Sequence, residues 1–364
     1  MIRVGSVYYV YPMFKRVSWN AIAKKHLKYL KSYMNIFPID ENAFPALYPF
    51  NNSIVILHPF FYPIEKFEAK FKSVAARVKG VIGIDVADSD AISEYAASLA
   101  NRATAIIVPS NFAKRSYVNS GVRVPVYVVP HGVDREWIDA PKTQPKTFAK
   151  LADHKEKRCL KFIISYQMHS EYRKGLDILI KLFKELRNER NDVALVLKTS
   201  QYVGVIDGKI GDENTHVEKL LTLRMPIRWL TEGEQMELFD LCEIYALTSR
   251  GGGFEHPPLL GLARGEIVIG ARGGAWDDYM PDWGLVDSKR SGQVLPGNHI
   301  HVGRGVEMEI DRAVDRLCDV LDNLDDYRAR VKEHTNKVIR EKFVWDRICF
   351  ELGKILLKHL REVH

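Results

Sequence analysis

The chain alternates short apolar, β-branched runs with longer stretches whose apolar residues recur at helical spacing, the pattern of βαβ units around parallel sheets. In the first 140 residues the predicted strands are MIRVGSVYYV, SIVILHPFF, GVIGID, TAIIVP and VPVYVVP. Helical patterns separate them: SWNAIAKKHLKYLKSYM, PIEKFEAKFKSVAARVK, DAISEYAASLANRA and NFAKRSYVNSG. Ser18 and Asp90 suit N-cap positions, and Pro63 suits the first helical position. From Pro141 to Lys157 the alternation lapses into a Lys-, Thr- and Pro-rich stretch that reads as a linker. It restarts with CLKFIISY, the helix LDILIKLFKELRNE, strands DVALVLKTS and PIRWL, the helix EQMELFDLC, strand IYALTS, a helix near PPLLGLARG and strand EIVIGA. The last stretch, from AVDRLCDVL onward, is almost continuous helix, interrupted near Phe343 to Trp345.

Two α/β domains follow from this pattern, and 364 residues exceed what a single core usually organises. The expected boundaries are an N-terminal Rossmann-like domain over 1–140, a linker over 141–157, a second Rossmann-like domain over 158–340, and a closing helix over 341–364 packed back on the first domain. In open parallel sheets ligands bind beyond the carboxyl ends of the strands, so two such domains facing each other would share an interdomain cleft.

Composition changes this picture little. Hydrophobic residues make up 46% and charged residues 27%, ordinary for a folded soluble protein, and no apolar run reaches the ~20 residues of a membrane span. The first residues lack the parts of a signal peptide. Four scattered cysteines, with no CxxC pair, argue against a zinc site or disulfide framework and suit a reduced cytoplasmic protein. The net charge of +7 favours anionic partners: a phosphorylated donor, an anionic membrane touched peripherally or, behind these, nucleic acid.

Two segments carry candidate chemistry. In ISYQMHSEYRKGLDILI a strand ends, a polar loop follows, and Arg173, Lys174 and Gly175 lead into an amphipathic helix. Two cations beside free helix N–H groups form an anion site, although they could equally be solvated helix-start residues. In LTSRGGGFEHPPLLGLARGEIVIGARGG a strand end, three glycines and a Pro-marked helix start again offer backbone N–H donors to phosphate. A tight turn is the plainer alternative. Asp88-Ser89-Asp90 resembles a metal-binding D-x-D, but its place between strand and helix favours a capped loop. No G-x-G-x-x-G follows the first strand, which disfavours a dinucleotide enzyme.

Taken in order, NRATAIIVPSNFAKRSYVNSGVRVPVYVVPHGVD, the RKG loop, TSRGGGFEHPP, GARGGAWDDY and FVWDRI resemble family 4 of the retaining glycosyltransferases over most of residues 80 to 350. The resemblance implies a GT-B fold and transfer of a sugar from a nucleotide-diphosphate-sugar donor to a glycan, lipid-linked or protein acceptor. It also implies chemistry without metal or resident cofactor. Matched residue by residue, Arg173 and Lys174 are the pair that neutralises the donor diphosphate. Thr248, Ser249, Gly253, Phe254 and Pro257 fall on the donor-side loop, and His131, Gly132 and Asp134 on the end of the first domain. Asp85 and Asp88 are acceptor-side candidates. Tyr166, His169, Lys198 and His256 are further donor-side candidates. The family pattern has two glutamates with seven residues between them, where this chain has Gly252 and Leu260. Glu255 is the available replacement for the first, provided the loop is rebuilt around it. The alternative to a transferase is a non-catalytic nucleotide-sugar or glycan-binding protein that has lost both glutamates.

Overall fold

The computed structural model describes residues 5–167, 170–199 and 229–361. They form two compact units, one of Met1–Gly132, Pro296–Gly303 and Lys342–His364, the other of Val133–Leu295 and Arg304–Glu341. Each is built on a parallel sheet with helices.

In the first unit the strands are β1 (Ser6–Tyr11), β2 (Asn35–Asp40), β3 (Ser53–Leu57), β4 (Gly80–Ile84), β5 (Ala105–Val108) and β6 (Val126–Val128), in the order β2-β1-β3-β4-β5-β6. Every neighbouring pair is parallel. All residues of β3 and β4 are buried, as continuous apolar strands covered on both faces must be. Tyr8, Val10, Val55 and Leu57 belong to the core on one face. On the other, Val7, Tyr9, Ile54 and Ile56 meet the helices Ser18–Leu30 and Trp345–Arg361. The strand β2 is absent from the predicted elements. It lies at the sheet edge with Pro38 in its middle, a residue that masks strand signal yet is tolerated there.

Three helix starts differ from expectation. Ser18 is the first helical residue, and the capping position falls to Val17, whose side chain cannot accept a hydrogen bond. The cap of Glu94–Ala100 is Ser93, whose Oγ accepts the Ala96 N–H at 3.1 Å. Asp90 lies earlier, because Ile92 is held extended by a bridge to His301. Pro63 is the third residue of Phe61–Lys66, and Phe67, with φ −132°, separates that helix from Glu68–Ala75.

The second unit has β7 (Lys161–Gln167), β8 (Val193–Thr199), β9 (Ile244–Leu247), β10 (Ile267–Ala271) and β11 (Leu285–Val286), in the parallel order β11-β10-β9-β7-β8. A charged antiparallel pair, β12 (Ser288–Gln293) with β13 (Arg304–Met308), accompanies it. The helix Leu176–Glu189 buries Leu176, Ile178, Leu179, Leu182, Phe183 and Leu186, one face of its 3.6-residue period. Within the Pro141–Lys157 stretch, Ala149–Lys157 is helical. Thr143 and Phe148 there donate backbone N–H groups to Asp240 and Glu237. Most of the predicted strand PIRWL lies outside the described residues. Among those residues no helix is long and apolar enough to cross a membrane.

Candidate functional site

At the carboxyl end of β7 the chain enters a one-turn helix, Glu171–Lys174, framed by Ser170 and Gly175 in left-handed conformations (φ 55° and 70°). Gly175 has no alternative, since a Cβ there would stand 2.0 Å from the Thr248 carbonyl oxygen. This contact sets the RKG turn against the loop that leaves β9. Thr248 Oγ1 donates to the Lys174 carbonyl at 3.1 Å, and Arg250 N–H donates to the Arg173 carbonyl at 2.7 Å.

Arg250 was not singled out from the sequence, and it joins three segments. Its buried guanidinium donates to the Tyr172 carbonyl at 2.8 Å, to both Asp177 oxygens at 2.7 and 2.6 Å, and to Glu307 at 2.9 Å. It also lies 4.0 Å from the centre of the Tyr172 ring. Partial burial raises the Asp177 carboxyl, but the Arg250 hydrogen bonds outweigh it and hold that group below its ordinary range. An arginine beside three glycines gave no periodic or motif signal that marked it.

The glycine loop turns back so that Glu255, the residue before the helix His256–Arg264, adopts φ 63° and ψ 82°. A side chain in this region costs about 1 kcal/mol and persists only where its surroundings fix it. They do so here. The Glu255 carboxylate is nearly fully buried and receives Lys174 Nζ at 2.6 and 2.5 Å, with Arg173 Nη1 at 3.6 Å. Its main-chain oxygen accepts the Tyr279 hydroxyl at 2.5 Å, and Phe254 packs on the same ring at 5.1 Å. Arg173 also donates to the Gly251 carbonyl at 3.1 Å. Burial, reinforced by the Glu255 charge, pushes the Tyr245 and Tyr279 hydroxyls well above their ordinary value.

Gly252 explains how the carboxylate fits. A Cβ at this position would stand 2.3 Å from Glu255 Oε1. The space in which a side chain of residue 252 would begin is therefore filled by the carboxylate of residue 255. Arg173, Lys174 and Glu255 form one cluster.

The remaining donor-side candidates divide. Thr248, Ser249, Gly253 and Phe254 are buried in the same loop, and His256 and Pro257 open the following helix. Leu260 is a buried apolar residue of that helix and offers no polar atom. Tyr166 packs on Phe239 and Tyr245 at 5.6 and 6.2 Å, its hydroxyl raised well above its ordinary value by burial and then by Glu266. Lys198, the penultimate residue of β8, is buried, with Nζ 2.8 Å from the Thr199 carbonyl. His169 lies outside the described residues.

The acceptor-side candidates belong to the first unit. Asp85 accepts the N–H groups of Phe60, Phe61 and Val86 at 2.8, 3.1 and 2.8 Å, thereby holding the start of the Phe61–Lys66 helix. Burial pushes its carboxyl up to about 7 against those donors. Asp88 donates its N–H to His301 at 3.5 Å. The His131 ring lies 6.4 Å from that of Trp345, and a Cβ on Gly132 would come within 3.0 Å of the Trp345 nitrogen. Asp134 is buried at the start of the second unit.

Comparison with known proteins places the chain. It is 31% identical over 366 residues to the uncharacterized protein 356 of Sulfolobus islandicus rod-shaped virus 1, covering 97% of this chain and 99% of the relative. The chain belongs to the family of that viral protein. It is also 26% identical over 306 residues to the protein named "Putative glycosyltransferase 45" of Sulfolobus islandicus filamentous virus (isolate Iceland/Hveragerdi), covering 81% and 79% of the two chains. No protein-family model matches. Among solved structures, Anabaena Alr3699/HepE in complex with UDP and glucose superposes with a TM-score of 0.71 at 14% identity, over 97% of this chain and all of the other. A UDP-forming α,α-trehalose-phosphate synthase from Burkholderia xenovorans gives 0.65 at 14% identity, over 85% and 74%. The chain therefore shares the GT-B fold of these glycosyltransferases.

Proposed function

We propose that the protein is a glycosyltransferase that moves a sugar from UDP-sugar to an acceptor hydroxyl, with retention and without a metal ion. The observation that carries this reading is the convergence of Arg173 and Lys174 on one buried carboxylate between two strand-end loops. Two preorganised cations at a helix start suit a departing diphosphate. The names of the relatives point the same way: HepE has been crystallised with UDP and with UDP-glucose.

In the proposed reaction the diphosphate displaces the Glu255 carboxylate from Lys174. The bond between the sugar C1 and the phosphate oxygen breaks, and the acceptor oxygen bonds to C1 from the same face. The acceptor proton passes to the departing phosphate oxygen, so no protein nucleophile is needed. The released Glu255 carboxylate stands beside the sugar, where it offsets developing positive charge. Leu260 supplies nothing to the ribose. That favours one rival, a nucleotide-sugar-binding protein without turnover.

The test is UDP release from UDP-glucose, in EDTA, with glycan, lipid-linked and protein acceptors in turn. Release that survives EDTA is expected. UDP binding without release from any UDP-sugar would select the rival, and restoration of a lost activity by manganese would refute the metal-free reaction.

A further inference from the structure

The first unit carries a surface that the transferase reading does not use. The helices Ser18–Leu30 and Trp345–Arg361 lie side by side on one face of its sheet, their inner residues merged in a single core. They pack closely at Gly353, where an added Cβ would stand 3.7 and 3.8 Å from the side chains of Leu30 and Met34. Their outer sides therefore form one broad face.

That face is basic. Lys24, Lys28 and Lys31 are exposed on and just after the first helix, and no Asp or Glu occurs between Ser18 and Met34. On the second helix Arg347, Lys354, Lys358 and Arg361 are exposed, against one exposed acid, Glu351, which Lys354 pairs at 2.5 Å. Lys354, Leu357, Lys358 and Arg361 line a groove of about 500 Å³, three cations around an apolar floor. The face also exposes two aromatic rings, Tyr33 (42%) and Phe350 (48%), which meet edge-on at 6.0 Å.

We propose that this two-helix face docks on an anionic phospholipid surface. Charge complementarity selects an anionic partner, since each lysine or arginine near such a surface adds attraction. The aromatic pair and the leucine floor select lipid among anions. Aromatic rings favour the boundary between headgroups and acyl chains, whereas a duplex offers them phosphates and closed base stacks. A paired-helix face is also too wide for a major groove, which admits one helix. The groove fits a phosphate headgroup, its oxygens toward the cations and its glycerol toward Leu357. The inference is independent of the sugar chemistry.

The experiment is sedimentation of the whole protein with phosphatidylcholine vesicles and with vesicles containing roughly one-third phosphatidylglycerol. Binding is expected only to the anionic vesicles, and high salt should reverse it. The variant Lys28→Glu/Lys354→Glu/Lys358→Glu should bind at least ~10-fold more weakly with an unchanged melting temperature. Phe350→Ser should weaken binding at constant charge, which a purely ionic film would not. Absent binding, equal binding to pure phosphatidylcholine, or full binding by the charge-reversed variant would overturn the proposal. So would tighter binding to duplex DNA in the same buffer.

Discussion

Lys174 is not the solvated helix-start lysine that its sequence context allows. Its side chain is 12% exposed and lies 2.5 Å from a carboxylate that is itself 3% exposed. Removing one member of a buried pair strands the other, so Lys174→Ala is expected to lower stability by ~3 kcal/mol while it weakens UDP binding. Thermal melting and a UDP titration on the same preparation check both, and an unchanged melting point would show that the pair holds nothing. Glu255→Gln acts in the opposite sense on the ligand. It leaves the cations without their internal competitor, so UDP should bind about 10-fold tighter while turnover falls by ~100-fold. Equal affinity in the two proteins would mean that phosphate and carboxylate do not contest the same cations. A third residue tests the interior by pH. Burial pushes the Glu266 carboxyl well above its ordinary 4.5, Lys142 opposing and Glu243 and Asp240 reinforcing. Because the folded value exceeds the unfolded one, Glu266 leaves stability intact below about pH 4.5 and lowers it as pH rises toward the raised folded value. Glu266→Gln should therefore raise the melting temperature near pH 8 and leave it unchanged near pH 4, as melts across that range would record.

At the scale of elements, the geometry around Lys174 depends on a clamp between loops. Arg250 ties Tyr172, Asp177 and Glu307 together through a planar fork that lysine cannot copy. Arg250→Lys is expected to cost ~2–3 kcal/mol and to raise KM for the donor more than it lowers kcat, because the turn bearing Lys174 loses its anchor. Steady-state kinetics beside melting curves separate the two effects, and an unaltered KM would reduce Arg250 to a fold residue. These elements were unequally legible in the sequence. The helix Leu176–Glu189 and the buried strands β3, β8 and β10 could be read from apolar periodicity, since burial on one or both faces imposes it. The edge strand β2 and the pair β12–β13 could not, because their residues are partly exposed and mixed in polarity. The helix Ala149–Lys157 buries only Leu151 and so looked like linker. For the site, the strand-glycine-helix punctuation identified both loops. What stayed hidden was pairwise: Gly252 making room for Glu255, and Arg250 reaching Asp177, depend on loop closure that no spacing encodes.

On the scale of the whole molecule, Arg173, Lys174 and Glu255 all belong to the second unit. UDP at about 100 times its Kd should stabilise that unit by ~2.7 kcal/mol. Hydrogen exchange should then slow in β7, β9 and the segments after them, with the first sheet unaffected. Uniform protection across both units would count against a donor site confined to the second. The helix Trp345–Arg361 has a different consequence. It supplies Trp345, Ile348, Leu352, Leu356 and Leu360 to a core whose first strand begins at Ser6. On a ribosome adding ~5–20 residues per second, the nascent sheet, covered on this face only by the helix Ser18–Leu30, waits tens of seconds for the rest of its cover, with Ile54 and Ile56 open to water or to a chaperone. Vectorial synthesis therefore inverts the usual order: the unit begun first is completed last, after the chain of its successor has already emerged.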